Sequence, residues 1–136
     1  KDYGKDTYGR TLGVVLSEGQ DINMQMIEVG WAIPYIYCTE KECAPGYFEE
    51  HGVQRYIDAC EKARKEGLVV FDPADPLLEM PFEFRLRVQE REPDKFVGDY
   101  QTKKFVSPTE YKKVDVCKRV FFSSEKLAKK LGFTKK

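Results

Sequence analysis

Three prolines fall within ten residues of this chain, at positions 73, 76 and 81 of Asp72-Pro-Ala-Asp-Pro-Leu-Leu-Glu-Met-Pro81. Each fixes φ and removes a backbone donor, so neither a regular helix nor a central strand can run through the stretch. Periodic apolar patterns occur on both sides of it. The spacing predicts three parts: residues 1–72, a stiff, extended proline-containing linker over 73–94, and residues 95–136. There are no internal repeats and no low-complexity tracts.

The first part reads as a polar turn, a hairpin and two helices. Lys1-Asp-Tyr-Gly-Lys-Asp6 is the turn. Leu12, Val14 and Leu16 alternate with Thr11, Gly13 and Val15, the period of a strand with one buried face. Ser17-Glu-Gly-Gln20 has turn chemistry, Ile22 is expected on a short return strand, and Asn23 is a good N-cap. Met24, Ile27 and Trp31 then form one helical stripe, with Gly30 as a cap or a close-packing site. A second helix is expected from Glu49 or Val53 to Glu66, with Val53, Tyr56, Ile57, Cys60 and Ala63 on its apolar face and Gly67 just beyond its end. Leu68-Val-Val-Phe71 reads as a short buried segment.

The last part changes character. Phe96-Val-Gly98, Lys104-Phe-Val106 and Arg119-Val-Phe-Phe122 are predicted strands. Ser124 caps a final helix carrying Leu127 and Leu131, and Gly132 ends it. The composition is globular, with 41% hydrophobic, 13% aromatic and 34% charged residues. No apolar run approaches the ~20 residues of a membrane span. A net charge of zero hides an asymmetry: residues 95–136 hold 12 Lys and Arg against 4 Asp and Glu, and the remainder holds 11 against 19. Lysines in this basic part can contact phosphates while Phe96, Tyr100, Phe105 and Tyr111 offer stacking faces; equally, those aromatics can be its core. Cys38 and Cys43 are close enough for a disulfide, Cys60 is on a helix, and Cys117 is remote. Two disulfides or four thiols both satisfy the sequence. The Cys38–Cys43 spacing with the single His51 is no usual zinc pattern, and His51 reads as a surface residue at a helix start.

Residue order carries further than periodicity. Asp-x-Tyr-Gly-Arg-x-Leu over residues 6–12, a strand, a glycine-containing turn, and then Ile22-Asn23 leading through Gly30 to Ala32 resembles the second half of the staphylococcal-nuclease-like (thermonuclease) family. The resemblance continues through Tyr35-Ile-Tyr37 to Ala63-Arg-Lys-Glu-Gly-Leu68 and covers roughly residues 6 to 72. It implies Ca²⁺-dependent hydrolysis of DNA or RNA phosphodiesters. Arg10 matches the family's catalytic arginine, Tyr8 a substrate-contacting tyrosine, and Tyr35 and Tyr37 its base-pocket tyrosines, although these two can equally be core. A guanidinium suits the task because it grips two phosphate oxygens and stays charged as the transition state gains negative charge.

The family's metal-holding carboxylates, second arginine and water-positioning glutamate precede the Tyr-Gly-Arg turn, and no residues here match them. Asp2 and Asp6 do not make a site for a cation that wants several oxygens. The resemblance therefore implies Ca²⁺ for a complete parent protein, while no cofactor is expected for this chain alone. Glu83-Phe-Arg-Leu-Arg-Val-Gln-Glu90 is superficially similar to the family's missing strand, but its flanking order argues against a circular rearrangement. Residues 95–136 resemble a small module appended to some bacterial nucleases and the zinc-binding module of the Ada repair protein, without the metal's cysteines.

The expected fold class is α+β: an incomplete oligonucleotide-binding-type barrel, the linker, and a small basic β-plus-helix module. The expected function is that of a nuclease-family domain held as a fragment that is inactive alone. The alternative is a catalytically silent nucleic-acid-binding or scaffolding module of the same fold. DNA or RNA is the expected partner, with no membrane association. A homo-oligomer or strand exchange is expected to cover unpaired strand edges. The compartment is not legible in the residues; the resemblance implies a secreted or periplasmic bacterial protein.

Overall fold

The computed structural model describes residues 2–6 and 8–136, and only the backbone of Asp2 and Tyr3. Lys1, the first residue of the expected opening turn, and Thr7, within the Tyr-Gly-Arg turn motif, lie outside the described residues.

The N-terminal quarter forms two separate ribbons. Asp2–Lys5 (β1) pairs antiparallel with Thr11–Gly13 (β2), so most of the expected opening turn is a strand. Leu16–Ser17 (β3) pairs with Gln20–Asp21 (β4) around Glu18-Gly19, where the turn was expected. The single half-buried strand predicted from Leu12, Val14 and Leu16 does not form. Leu12 and Leu16 are exposed, because neither ribbon lies against a second layer along this stretch. Ile22 belongs to the helix Ile22–Glu28 (α1), not to a return strand. The N-cap is Asp21, whose carboxylate accepts from the Asn23 and Met24 amides. Ile27 is buried, but Trp31 lies past the helix end and is exposed. Gly30 serves both expected purposes: φ is +79°, and an added Cβ would sit 2.6 Å from the Leu68 carbonyl oxygen.

The main body is a five-stranded sheet of Ile36–Cys38 (β5), Phe96–Asp99 (β6), Lys104–Val106 (β7), Arg119–Phe122 (β8) and Thr134–Lys135 (β9), in the order β5-β8-β6-β7-β9. β6 is antiparallel to β7 and β8, whereas β5 runs parallel to β8 with Ile36 opposite Val120. Successive side chains leave a strand on opposite faces, and the buried residues sort accordingly. Phe105, Val120 and Phe122 face a core built with Phe48, Val53 and Ile57 and with Leu127 and Phe133. Val97, Val106 and Phe121 face the other side, with Tyr111, Val114, Tyr37 and Phe82. Each fully buried Phe, Leu or Ile contributes about 1.5–3 kcal/mol of transfer free energy. The helices over the first face are Tyr47–Glu50 (α2), Val53–Lys65 (α3) and Glu125–Lys130 (α5), the last capped by Ser124 as predicted. Gly52, at φ +61°, separates α2 from α3.

The structure differs from the expected three-part division. The 73–94 segment contains a helix, Pro81–Val88 (α4), whose first residue is the proline that fits a helix N-terminus. Glu83 accepts from the Met80 amide and from the Tyr111 hydroxyl, and Phe82 packs on the sheet. The same helix rules out reading residues 83–90 as a nuclease strand. The 1–72 and 95–136 parts share one sheet, one core and a Cys60–Cys117 disulfide. Leu68–Phe71 is not buried; it holds the short 3-10 turn Val69–Phe71, with Val69 exposed. Among the described residues no helix is long and apolar enough to cross a membrane.

Candidate active site

Arg10 sits at the end of a turn organised by Asp6. One carboxylate oxygen, Asp6 Oδ1, accepts from the backbone amides of Tyr8 and Arg10, each at 2.9 Å; Oδ2 receives Arg10 Nε at 2.6 Å. The Asp6 amide donates to the Arg10 carbonyl at 2.9 Å, and Gly9 takes φ +75° to close the loop. The Arg10 amide first, with its guanidinium and the Tyr8 amide, holds the Asp6 carboxyl below its ordinary range against the opposing effect of desolvation. Aspartate suits this role because its short side chain bonds amides two residues on and beyond. The result is a cation anchored through Nε, with 74% of its side chain exposed. The Tyr8 ring lies 5.3 Å from the guanidinium carbon and is itself exposed.

The other two tyrosines lie on and beside β5. Tyr35 and Tyr37 have ring centroids 6.3 Å apart. Tyr37 packs with the second core, opposite Phe121 in the sheet register. Tyr35 is 39% exposed, stacks near Phe82 and Phe121, and carries the Arg85 guanidinium 4.7 Å above its ring. Burial raises its hydroxyl's pKa, so it stays a neutral donor at physiological pH. The structure therefore pairs Tyr8 with Arg10 and Tyr35 with Tyr37. It shows no contact between the two pairs among the described residues.

A cleft of about 1240 Å³ is lined by Tyr35 and by none of Tyr8, Arg10 and Tyr37. Leu12, Gly13 and Val14, which follow Arg10, line it together with Tyr35, Ile36, Tyr56 and the α2–α3 junction. Tyr56 braces this region: its hydroxyl donates to Asp21 Oδ2 at 2.7 Å, joining α3 to the cap of α1. Burial, then the Asp21 carboxylate, push the Tyr56 hydroxyl up to about 12.

Several of these contributors are not legible in the sequence pattern. Asp6 is visible there, but as an insufficient metal ligand; its Asp-x-x-x-Arg spacing is the signal that it clamps the arginine. Arg85 carries no such signal, because its contact with Tyr35 spans fifty residues of chain. The described residues do not fit a calcium ion. Both Asp6 oxygens already take N–H donors, Asp21 is committed to α1 and Tyr56, and no group of three His, Cys, Asp or Glu could hold a metal among the described residues. The cysteines form two disulfides, Cys38–Cys43 and Cys60–Cys117.

Residues 1–69 match the family described as "Staphylococcal nuclease homologue". The chain is 36% identical over 133 residues to a protein of Bacillus subtilis (strain 168) named "Endonuclease YhcR". That similarity takes in 97% of this chain but only 10% of the relative, so the chain spans about a tenth of the relative's length. It extends well beyond residue 69, into the half that follows the family match. No solved structure matches the chain.

Proposed function

Since the chain belongs to the staphylococcal nuclease homologue family, we propose that it supplies the arginine arm of a site hydrolysing DNA or RNA phosphodiesters. The observation that carries this reading is the Asp6 clamp, whose carboxylate accepts from the Arg10 amide, the Arg10 Nε and the Tyr8 amide and leaves the guanidinium largely in solvent. A cation so held grips the scissile phosphate and meets the charge that develops there. Tyr8 contacts the substrate beside it. Tyr35, on the cleft, takes the base side; Tyr37 belongs to that pocket through its ring contact with Tyr35 while also packing in the core. The two ribbons with α1 are read as part of an oligonucleotide-binding-type barrel.

The Ca²⁺ that the resemblance implies has no fit among the described residues. In this reading the carboxylates come from residues other than these 136, and this chain alone does not turn over nucleic acid. Exposed Leu12, Val15 and Leu16 on and between open-edged ribbons support pairing with a second copy. Two disulfides support an oxidising compartment, in line with a secreted or periplasmic protein.

The test uses the full-length protein with DNA and added Ca²⁺. Arg10→Ala should lower turnover about 10²–10³-fold, the usual effect of removing one transition-state charge donor. A variant as active as the wild type sinks the assignment. The absence of an acidic cluster among the described residues favours a second reading, a silent nucleic-acid-binding or scaffolding module. Full-length protein that binds DNA without cleaving it, under any divalent cation, would establish that alternative.

A further inference from the structure

The basic C-terminal part divides once its lysines are sorted by what they touch. Lys95, Lys112, Lys113, Lys118 and Lys129 each hold a carboxylate. Arg119 is buried and donates to the Val114 carbonyl, and Lys103 lies 3.7 Å above the Tyr100 ring. Five remain with no ion-pair partner within 4.0 Å among the described residues: Lys104, Lys126, Lys130, Lys135 and Lys136.

Three of these five, Lys104, Lys135 and Lys136, stand on the β7–β9 margin of the sheet, and Lys126 and Lys130 stand on α5, which packs over β6 and β8 and leads into that margin. Lys104 opens β7 opposite Thr134 of β9, and the next residue of β9 is Lys135. The Lys136 amide donates to the Phe105 carbonyl, keeping the chain against β7. Lys126 and Lys130 share a face of α5, which leads through Gly132 directly into β9. The Phe133 amide donates to the Ala128 carbonyl at 3.0 Å, so the turn from α5 into β9 is tight. β9 is the sheet edge opposite β5, α5 crosses from the β5 side over β8 and β6 to reach it, and the β5–β8 pairing and the Cys60–Cys117 bond fix both to the nuclease half.

We propose that the α5–β9 margin, carrying Lys104, Lys126, Lys130, Lys135 and Lys136, is a second nucleic-acid contact that tracks the phosphate backbone and retains substrate near the cleft. It rests on the nuclease reading above and adds an exosite to it. Unpaired lysines give up no internal bond on contacting phosphates, and each contact releases counterions. A lipid surface is disfavoured: every exposed large hydrophobic side chain among the described residues lies at or before Val88, leaving this margin no apolar anchor. Base stacking contributes nothing here, because Phe105 and Tyr111 are buried and Phe96 and Tyr100 pack against the core.

The 136-residue chain should bind a fluorescent single-stranded oligodeoxynucleotide of mixed sequence, read by anisotropy. The log–log salt slope approaches about −3.5 if all five lysines engage, from about −0.7 per contact. Changing all five to Ala should abolish the steep slope, while a Lys112→Ala/Lys113→Ala variant, which removes paired charges, should retain most of it. If the fivefold variant melts early, Lys130→Ala/Lys135→Ala serves, with a slope expected to fall by about 1.4. Unchanged affinity and slope in either margin variant overturn the proposal, as does binding to phosphatidylserine vesicles without binding to the oligonucleotide. The outcome is independent of catalysis: loss of the margin's binding leaves the Arg10 test untouched, and an active Arg10→Ala protein leaves the margin standing.

Discussion

Cys60 in α3 and Cys117 ahead of β8 are bonded to each other across a sequence separation of 57, with their Cα atoms 5.6 Å apart. Arg64, one turn further along α3, reaches Asp115 at 2.9 Å beside them. The half that matches the nuclease family and the half that follows it are thus covalently one body.

Removing that bond should be costly. Loop-closure entropy for a separation of 57 amounts to about 4 kcal/mol, against about 2 kcal/mol for the short loop closed by Cys38–Cys43. Cys60→Ala/Cys117→Ala should therefore lower the urea midpoint clearly more than Cys38→Ala/Cys43→Ala. Equal midpoints for the two double variants would mean that the long bridge does not constrain the unfolded chain.

Asp6 should lock the Arg10 turn through neutral and mildly acidic pH. Its carboxyl is depressed in the folded state, so its contribution is complete above the unfolded value of about 3.9 and is lost as pH falls through the lower folded value. Protection of the Tyr8 and Arg10 amides, taken relative to the intrinsic exchange rate at each pH, should fall only below about pH 4. Asp6→Asn should show fast exchange at neutral pH and, in the full-length enzyme, a lower kcat with little change in KM. Wild-type exchange in Asp6→Asn would refute the clamp.

Tyr56→Phe removes a hydroxyl that donates to a charged acceptor, a loss of about 1.5–3 kcal/mol. The wild type carries an alkaline signature of the same bond. Because the folded hydroxyl is raised to about 12, stability is full below the ordinary value of about 10 and drains away as pH climbs from there toward 12. Other tyrosines with raised hydroxyls contribute to the same alkaline decline, so denaturation curves at pH 8 and pH 11 should show a larger decline in wild type than in the variant.

Gly98→Ala should destabilise by about 1–3 kcal/mol through overpacking alone. Its φ is unexceptional, but an added methyl would lie 2.7 Å from the Phe133 ring and 2.8 Å from Phe122. Shortening the ring with Phe133→Leu should recover part of the loss in a double-mutant cycle; strictly additive effects would place the strain elsewhere.

The C-terminal strands were legible because their alternation is complete within a few residues: Val97, Val106 and Phe121 face one way, Phe105, Val120 and Phe122 the other. Ser124 announced its helix for an equally local reason, a side-chain bond to Leu127 three residues on. What local pattern could not carry was partnership. Ile36-Tyr-Cys38 is three residues long, and only Val120-Phe-Phe122 makes it a strand. Helix α4 was hidden by proline read as a breaker, when Pro81 with Glu83 behind it is a helix start. At the candidate site, Tyr8 and Arg10 were visible as a motif. Their orientation by Asp6 was visible only as a spacing, and the Arg85 cover on Tyr35 not at all.

The parallel pairing of β5 with β8 has a consequence for biosynthesis. Ile36 leaves the ribosome 84 residues before Val120, its partner in the sheet. At about 5–20 residues per second, that interval lasts roughly 4–17 s. For most of it Phe48, Val53 and Ile57 have no opposing layer, because Phe105 follows Ile57 by 48 residues and Phe122 and Phe133 come later still. The nascent chain is therefore most dependent on chaperones in mid-synthesis, and a stop codon near the proline cluster would yield a sticky intermediate rather than a free-standing smaller domain.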